Sequence, residues 1–152
     1  IDTSNIHGWL QSKIHSAEGR MAAWTSSILN NDKEYIYELK KIYTEQGVNA
    51  AKEAKVKSSN VTAEDIFNSM NDYILDGMPC DRVNEVVSSN NEVVEWKKRV
   101  CVHKEIWENE GISVDVFYDL RSEWIKAFVS EMNSDYEYVK LDENLQSIRK
   151  KV

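Results

Sequence analysis

Apolar residues recur along the first half of the chain at steps of three and four. Ile6, Leu10, Ile14, Ala17, Met21, Trp24 and Ile28 follow one another in this way. At ~100° per residue they fall on a single stripe of one helix. Asn30, Asn31 and Asp32 interrupt it, and Asn31 with Glu34 three residues on predicts the next helix start. There the asparagine oxygen would take an orphan backbone N–H. A second stripe runs through Tyr35, Leu39, Ile42, Tyr43, Gln46, Ala50 and Ala54 towards Val56. Gly47 inside it costs ~1 kcal/mol against Ala, so a close helix contact or a kink is expected there. After a polar break at 57–60, Thr62 with Asp65 is a further capping signal. It opens a helix through Ile66, Met70, Tyr73 and Ile74, which Gly77 and Pro79 end.

Beyond Pro79 the period changes. Residues 82–87 and 92–100 are rich in β-branched side chains and half alternating, separated by a polar turn at 88–91, which predicts a hairpin. Val94, Trp96 and Val100 share one face of its second strand, with Lys98 among them. Residues 102–109 read as a short helix stopped by Gly111. A longer helix over 115–132 carries Leu120, Trp124, Ala127 and Phe128 on one face, and 136–141 and 145–152 read as a last strand pair around Asp142, Glu143 and Asn144. This order predicts an α+β class: N-terminal helices packed on a small antiparallel sheet with two inserted helices, a single domain over 1–152.

Composition narrows what such a domain does. The chain has 152 residues, 41% hydrophobic and 30% charged, enough for one ordinary core and too ordered a mixture for disorder. A net charge of −7 argues against a partner among nucleic acids or anionic membranes. No apolar run approaches the ~18 residues of a membrane span and no basic-then-apolar leader pattern opens the chain, so a soluble cytoplasmic protein is expected. The sequence starts at Ile1, so a natural start that was trimmed or lies upstream is expected. Two cysteines make neither a disulfide scaffold nor a four-thiolate zinc site. There is no H-E-x-x-H, C-x-x-C, G-x-G-x-x-G, Walker loop or G-x-S-x-G. No cofactor and no metal are therefore expected, and a metal site would have to be assembled from distant residues. The expected partner is a small-molecule substrate or ligand, and homo-oligomerisation stays open.

Candidate chemistry centres on Cys101, in Val100-Cys101-Val102-His103-Lys104-Glu105-Ile106-Trp107. A thiol where a strand ends and a helix begins sees unpaired N–H groups and the positive end of the macrodipole, which favour thiolate. Arg99 and Lys104 add positive charge, and His103 is the nearest group of suitable pKa to move protons. Against this stands an inert cysteine packed at a strand end, since unpaired cysteine is among the most buried residue types. Cys80, in the turn after Pro79, is read as a second free thiol rather than a disulfide partner. His7 flanks the first apolar stripe and His15 points away from it. Asp115 reads as a cap of the late helix, and Asp119, beside Tyr118, as a residue that could face the Cys101 region. Asn60-Val61-Thr62 fits a glycosylation acceptor but is explained by the helix cap. The acids Glu34, Glu38, Glu45, Glu53, Glu64 and Asp65 read as solvated helix faces. Trp9, Trp24, Tyr35, Tyr43, Phe67, Tyr73, Trp124 and Phe128 lie on or beside apolar stripes and read as core. Trp96, Trp107 and Tyr118 cluster in sequence around Cys101 and would suit a small pocket with one apolar wall.

The stretch from Trp96 to Trp107, with Gly111 closing it, resembles the L-2-amino-thiazoline-4-carboxylic acid hydrolase-like family. Val102 and His103 stand where that family has Pro and an aromatic residue. The segment from Ile42 to Ala51 resembles the family's helix around a Tyr-Gly segment. Asp119 and Lys126-Ala127-Phe128 resemble its Asp followed by a Gly-Phe pair, so the likeness runs in order from about Tyr35 to Val152. The family pattern carries a second Cys just before the position of Asp119, where this chain has Val116, Phe117 and Tyr118, and a third where Ser147 stands. Only Cys101 and Asp119 carry across. The resemblance implies an α+β fold and a hydrolase that opens a cyclic C=N bond. Cys101 would attack the ring carbon, His103 or Asp119 would move protons, and Trp96, Trp107 and Tyr118 would bind the substrate. The rival expectation is a non-catalytic ligand-binding or sensor domain on the same fold.

Overall fold

The computed structural model describes residues 5–57 and 61–152. Two long helices come first, α1 over Ile6–Asn31 and α2 over Tyr35–Lys55, then the shorter α3 over Ala63–Asn71. A 3-10 turn at Pro79–Asp81 leads into the hairpin β1 (Asn84–Ser89) and β2 (Val93–Lys98). The inserted helices α4 (Lys104–Asn109) and α5 (Val114–Met132) follow, and the chain ends in β3 (Tyr136–Lys140) and β4 (Leu145–Lys150). The strands form one antiparallel sheet in the order β1-β2-β4-β3. The expected α+β class, with helices leading and two helices inserted between strands, is the one observed.

Each element has a local cause. Thr62 caps α3: its hydroxyl accepts the Asp65 N–H, and the Asp65 carboxylate accepts the Thr62 N–H at 3.0 Å. These reciprocal bonds satisfy two otherwise orphaned donors. Gly111, at φ +77°, follows α4 in the left-handed region, where glycine carries no Cβ penalty. Two expected caps fall elsewhere. Asn31 is still inside α1, and it is the Asp32 side chain that accepts the Glu34 N–H at 2.9 Å. Ser113, not Asp115, caps α5, accepting the Asp115 N–H at 3.2 Å. In both cases a short polar side chain two residues ahead of the donor closes a tighter turn. The third helix also ends earlier than expected, at Asn71. Ser58, Ser59 and Asn60, which hold the polar break and the acceptor asparagine, lie outside the described residues.

The larger core lies where α2, α3 and α5 meet one face of the sheet. Ala51, Ile66, Val94, Phe128, Val129 and Ile148 are buried there. Val94 and Trp96 point inward as alternation requires, but β2 stops at Lys98 and Val100 is 46% exposed. Val100 is therefore not part of the strand's apolar face. The edge strand β1 is exposed throughout and carries a bulge between Val86 and Ser88, a device that discourages edge-to-edge pairing. A second core joins α1, α4 and the start of α5 through Ala22, Trp107, Ile112, Val114 and Phe117.

The aromatic and apolar stripes divide between core and surface. Phe128 is fully buried, stacked on Trp124 with ring centroids 5.0 Å apart. Trp24, Tyr35 and Tyr73, expected in the core, are exposed. Periodicity identifies an apolar face but not whether another element covers it.

At Gly47 the backbones of α2 and α5 come close together. A Cβ on it would run into the Trp124 carbonyl oxygen and come within 3.2 Å of the Ala127 Cβ. The glycine permits backbone contact between the two helices, as its position within an apolar stripe predicts. Gly47→Ala is expected to lower stability by ~1–3 kcal/mol through overpacking, although alanine is intrinsically the better helix former by ~1 kcal/mol. Urea denaturation measures the net effect, and an unchanged or higher midpoint would show that the helices do not meet so closely.

Candidate functional site

After Arg99, whose N–H still bonds to Val83 at 2.7 Å, the chain leaves the sheet and turns into α4. Two side chains of this turn, Cys101 and His103, diverge. Cys101 stays at the surface, its Sγ 3.0 Å from the Tyr118 hydroxyl of α5. His103 turns inward and is 2% exposed.

Both imidazole nitrogens of His103 are held by carboxylates. Nδ1 pairs with Glu18 Oε1 of α1, and Nε2 with Asp76 Oδ1 at 2.7 Å, in the segment between α3 and β1. The Trp107 indole N–H also donates to Glu18, at 3.0 Å, and the Arg121 guanidinium donates to Asp76. Phe117 lies against the imidazole with centroids 4.3 Å apart, and Arg121 lies over the other part of that aromatic pair, 4.6 Å from the Phe117 ring. A ring flanked by two carboxylates can donate from both nitrogens only as an imidazolium, and this surrounding favours that form of His103. Burial alone would lower its pKa, but the bonds to Asp76 and Glu18 outweigh burial and raise it. Burial likewise disfavours the Asp76 carboxylate, yet His103 and Arg121 hold it well below the usual carboxylate range. The four groups form a set of two acids and two bases, with His103 almost closed to water and the other three partly exposed around it.

Cys101 lies on the solvent side of this set. Partial burial opposes its ionisation, but the Tyr118 hydroxyl, the N–H groups of His103 and Lys104 and the His103 charge together lower its pKa. Tyr118 is shifted the other way by burial and by its bond to Cys101. When this pair ionises it is therefore the sulfur that gives up its proton, and the Tyr118 hydroxyl then donates to the thiolate.

The pair opens on a cleft of about 640 Å³ whose lining includes Lys98, Lys104, Asp119 and Lys140. Lys98 places its ammonium 3.9 Å from the Tyr118 ring centroid. Burial lowers the pKa of Lys140; Asp119 partly offsets this, and Lys98 and Lys126 push it down further. Within a chain of charge −7, basic side chains outnumber acids in this cleft, where Arg99 and Arg121 join the three lysines against Asp115, Asp119 and Glu143.

Of the residues singled out from sequence, Cys101, Tyr118 and Asp119 line this one cleft. His103 sits behind it, its ring committed to Glu18 and Asp76 rather than to the thiol. Trp96 and Trp107 do not form a common wall. Trp96 packs in the sheet core with Phe67, centroids 4.9 Å apart, and Trp107 is buried in the second core. Ser147 is buried in β4 and is not part of the cleft lining. Cys80 is a free thiol whose sulfur lies 4.0 Å from His7 Nδ1. Glu18, Asp76, Arg121, Lys98 and Lys140 had no motif to mark them. A faint signal existed for two. Glu18 is the one acid of α1, and Lys98 is the charged residue on the inward face of β2.

No family model, curated protein or solved structure matches the chain.

The buried set makes stability depend on pH in a defined direction. The raised His103 pKa contributes stability that is complete below the ordinary imidazole value of ~6.5 and is lost as pH rises through the native value. The lowered Asp76 pKa contributes stability that is complete above ~3.9 and is lost as pH falls through its native value. The Cys101 thiol contributes with the opposite sign to His103 on the alkaline side, so the profile is best read in a Cys101→Ser background. There the urea midpoint is expected to be highest between about pH 4 and 6.5 and to decline on either side. A midpoint that holds flat from neutral to alkaline pH would mean that His103 is not an imidazolium. His103→Gln, which strands two carboxylates, is expected to cost about 3–5 kcal/mol.

Proposed function

We propose that this chain is a small-molecule hydrolase using Cys101 as nucleophile on an anionic substrate with an electrophilic C=N, amidine or amide carbon, a thiazoline carboxylate being the model case. The observation that carries this reading is the Cys101–Tyr118 pair, 3.0 Å apart, at the mouth of a cleft lined by Lys98, Lys104 and Lys140. A thiolate at neutral pH needs hydrogen-bond donors and nearby positive charge, and both are present. The lysines supply partners for a substrate carboxylate.

In this reading the thiolate adds to the ring carbon, and the C=N electron pair moves to nitrogen, which takes a proton from the Tyr118 hydroxyl. Collapse of this adduct re-forms a C=N bond, returns a proton to the Tyr118 oxygen and breaks the bond from carbon to the ring sulfur, which leaves as thiolate. Water then adds to the same carbon, with Asp119 in the same cleft positioned to relay its proton to nitrogen; formation of the carbonyl expels the Cys101 thiolate, and the remaining hydroxyl proton goes to the ring-derived thiolate. His103 takes no part in proton transfer, because neither ring nitrogen is free. Its fixed positive charge lowers the thiol pKa, so it acts as a positioning and electrostatic residue. The same absence of a free imidazole favours one alternative, a ligand-binding or sensor domain whose cleft holds an anion without turning it over.

Alkylation by iodoacetamide distinguishes these readings at their root. Cys101 is expected to react with a midpoint below the ordinary thiol value of ~8.5 and faster than Cys80 at neutral pH. Tyr118→Phe should slow it severalfold. Cyclic C=N carboxylates should be turned over by the wild type and not by Cys101→Ser. An ordinary midpoint, or equal turnover by both proteins, would remove Cys101 as nucleophile. Binding with no turnover would favour the sensor.

A further inference from the structure

Leu10, Ile14, Ala17, Met21, Trp24 and Ile28 of α1 recur at alternating steps of four and three. That is the a/d spacing of a coiled-coil seam, narrower than the stripe of a helix seated on a core. Among the described residues nothing covers it: Leu10, Met21, Trp24 and Ile28 are 39%, 42%, 66% and 39% exposed. Helix α1 meets the rest of the molecule with another face, through Glu18, Ala22, Thr25 and Ser26. One edge of the seam opens on an apolar groove of about 420 Å³ whose lining includes Leu75 and Phe117. Leu75 is itself 56% exposed.

We propose that a second copy of this chain covers the seam, the two α1 helices packing antiparallel about a twofold axis beside Gly19. Reversing the helix maps the alternation onto itself. Leu10 then layers with the second copy's Ile28, Ile14 with its Trp24, and Ala17 with its Met21. The smallest residue, Ala17, then meets Met21 and the largest, Trp24, meets Ile14, so the layers differ less in volume than in a parallel pair. A parallel pair would set Trp24 on Trp24 and Ala17 on Ala17, one layer overfilled and the next hollow.

Charge favours the same occupant. In a chain of net −7 most faces repel a second copy, but α1 has a single acid, Glu18, and it is turned inward to His103. The seam therefore meets itself without carboxylate repulsion. Arg20 meets its symmetry mate at the solvent edge, where screening leaves little repulsion. A helix of 26 residues is ~39 Å long and ~10–12 Å wide. With the groove beside Leu75 included, two copies bury about 1,000 Å², the lower end for a specific interface. An interface of this size is of the weak, transient kind, so the equilibrium is sought at micromolar concentrations.

Sedimentation equilibrium from about 1 to 200 µM should give a monomer–dimer equilibrium with a micromolar Kd. Met21→Glu with Trp24→Glu should weaken it at least about tenfold. The circular dichroism should not change, since both side chains are exposed in the monomer. In a Cys80→Ser, Cys101→Ser background, mixing Ala17→Cys and Met21→Cys proteins should yield the mixed cross-link in preference to either homodimeric one. A wild type that stays monomeric throughout, or a double variant that dimerises as tightly, overturns the proposal. Preferred homodimeric cross-links overturn the antiparallel arrangement.

Discussion

The buried imidazolium of His103 is the point on which separate parts of this molecule converge. Glu18 comes from the first helix, Asp76 from the segment between α3 and β1, His103 from the turn into α4, and Arg121 from α5. At its depth the His103 charge would be costly without partners, because an unpaired buried charge is far more costly than a solvated one. It is tolerated because the others are present. The set therefore holds α1 against α4 and α5 by a polar contact as well as through the apolar cluster of Ala22, Trp107 and Phe117.

The same constraint shapes the chemistry at the surface. By occupying both nitrogens of His103, Glu18 and Asp76 take from the neighbouring cysteine the base that proximity in sequence had promised. What remains is a fixed positive charge behind the thiol, which acts on its pKa rather than on its protons. The hydroxyl of Tyr118, reaching from α5, becomes the direct partner of the sulfur. The difference between a histidine as shuttle and a histidine as fixed cation is set by two carboxylates far from it in sequence, in helix and loop positions that match no motif. (Asp76 and Glu18 are distant from His103 in sequence, separated by 27 and 85 positions.)

Much of the architecture was legible because it rests on local rules. The reciprocal Thr62–Asp65 cap, the left-handed Gly111 after α4 and the close contact at Gly47 each follow from residue type and spacing. Asn31 and Asp115 were misassigned because Asp32 and Ser113 offered competing oxygens one or two positions away, and local sequence does not rank such near-equivalent caps. Val100 looked like strand by alternation, but hydrogen bonding to a neighbouring strand ended at Lys98. Of the site, Cys101, Tyr118 and Asp119 were legible as neighbours of a helix start. The pairing of Trp96 with Trp107 was not, because residues close in sequence on either side of a strand end point into different cores.

By itself the sequence determined the order of helices and strands, the α+β class and the position of a thiol at the entry to α4. These depend on backbone propensity, hydrophobic period and capping, which act over a few residues. The tertiary structure alone decided which apolar faces are covered, which charges are buried together and which group reaches the sulfur. Those outcomes depend on contacts between residues tens of positions apart, and on the cost of burying a charge, which is defined only once the surrounding elements have excluded water.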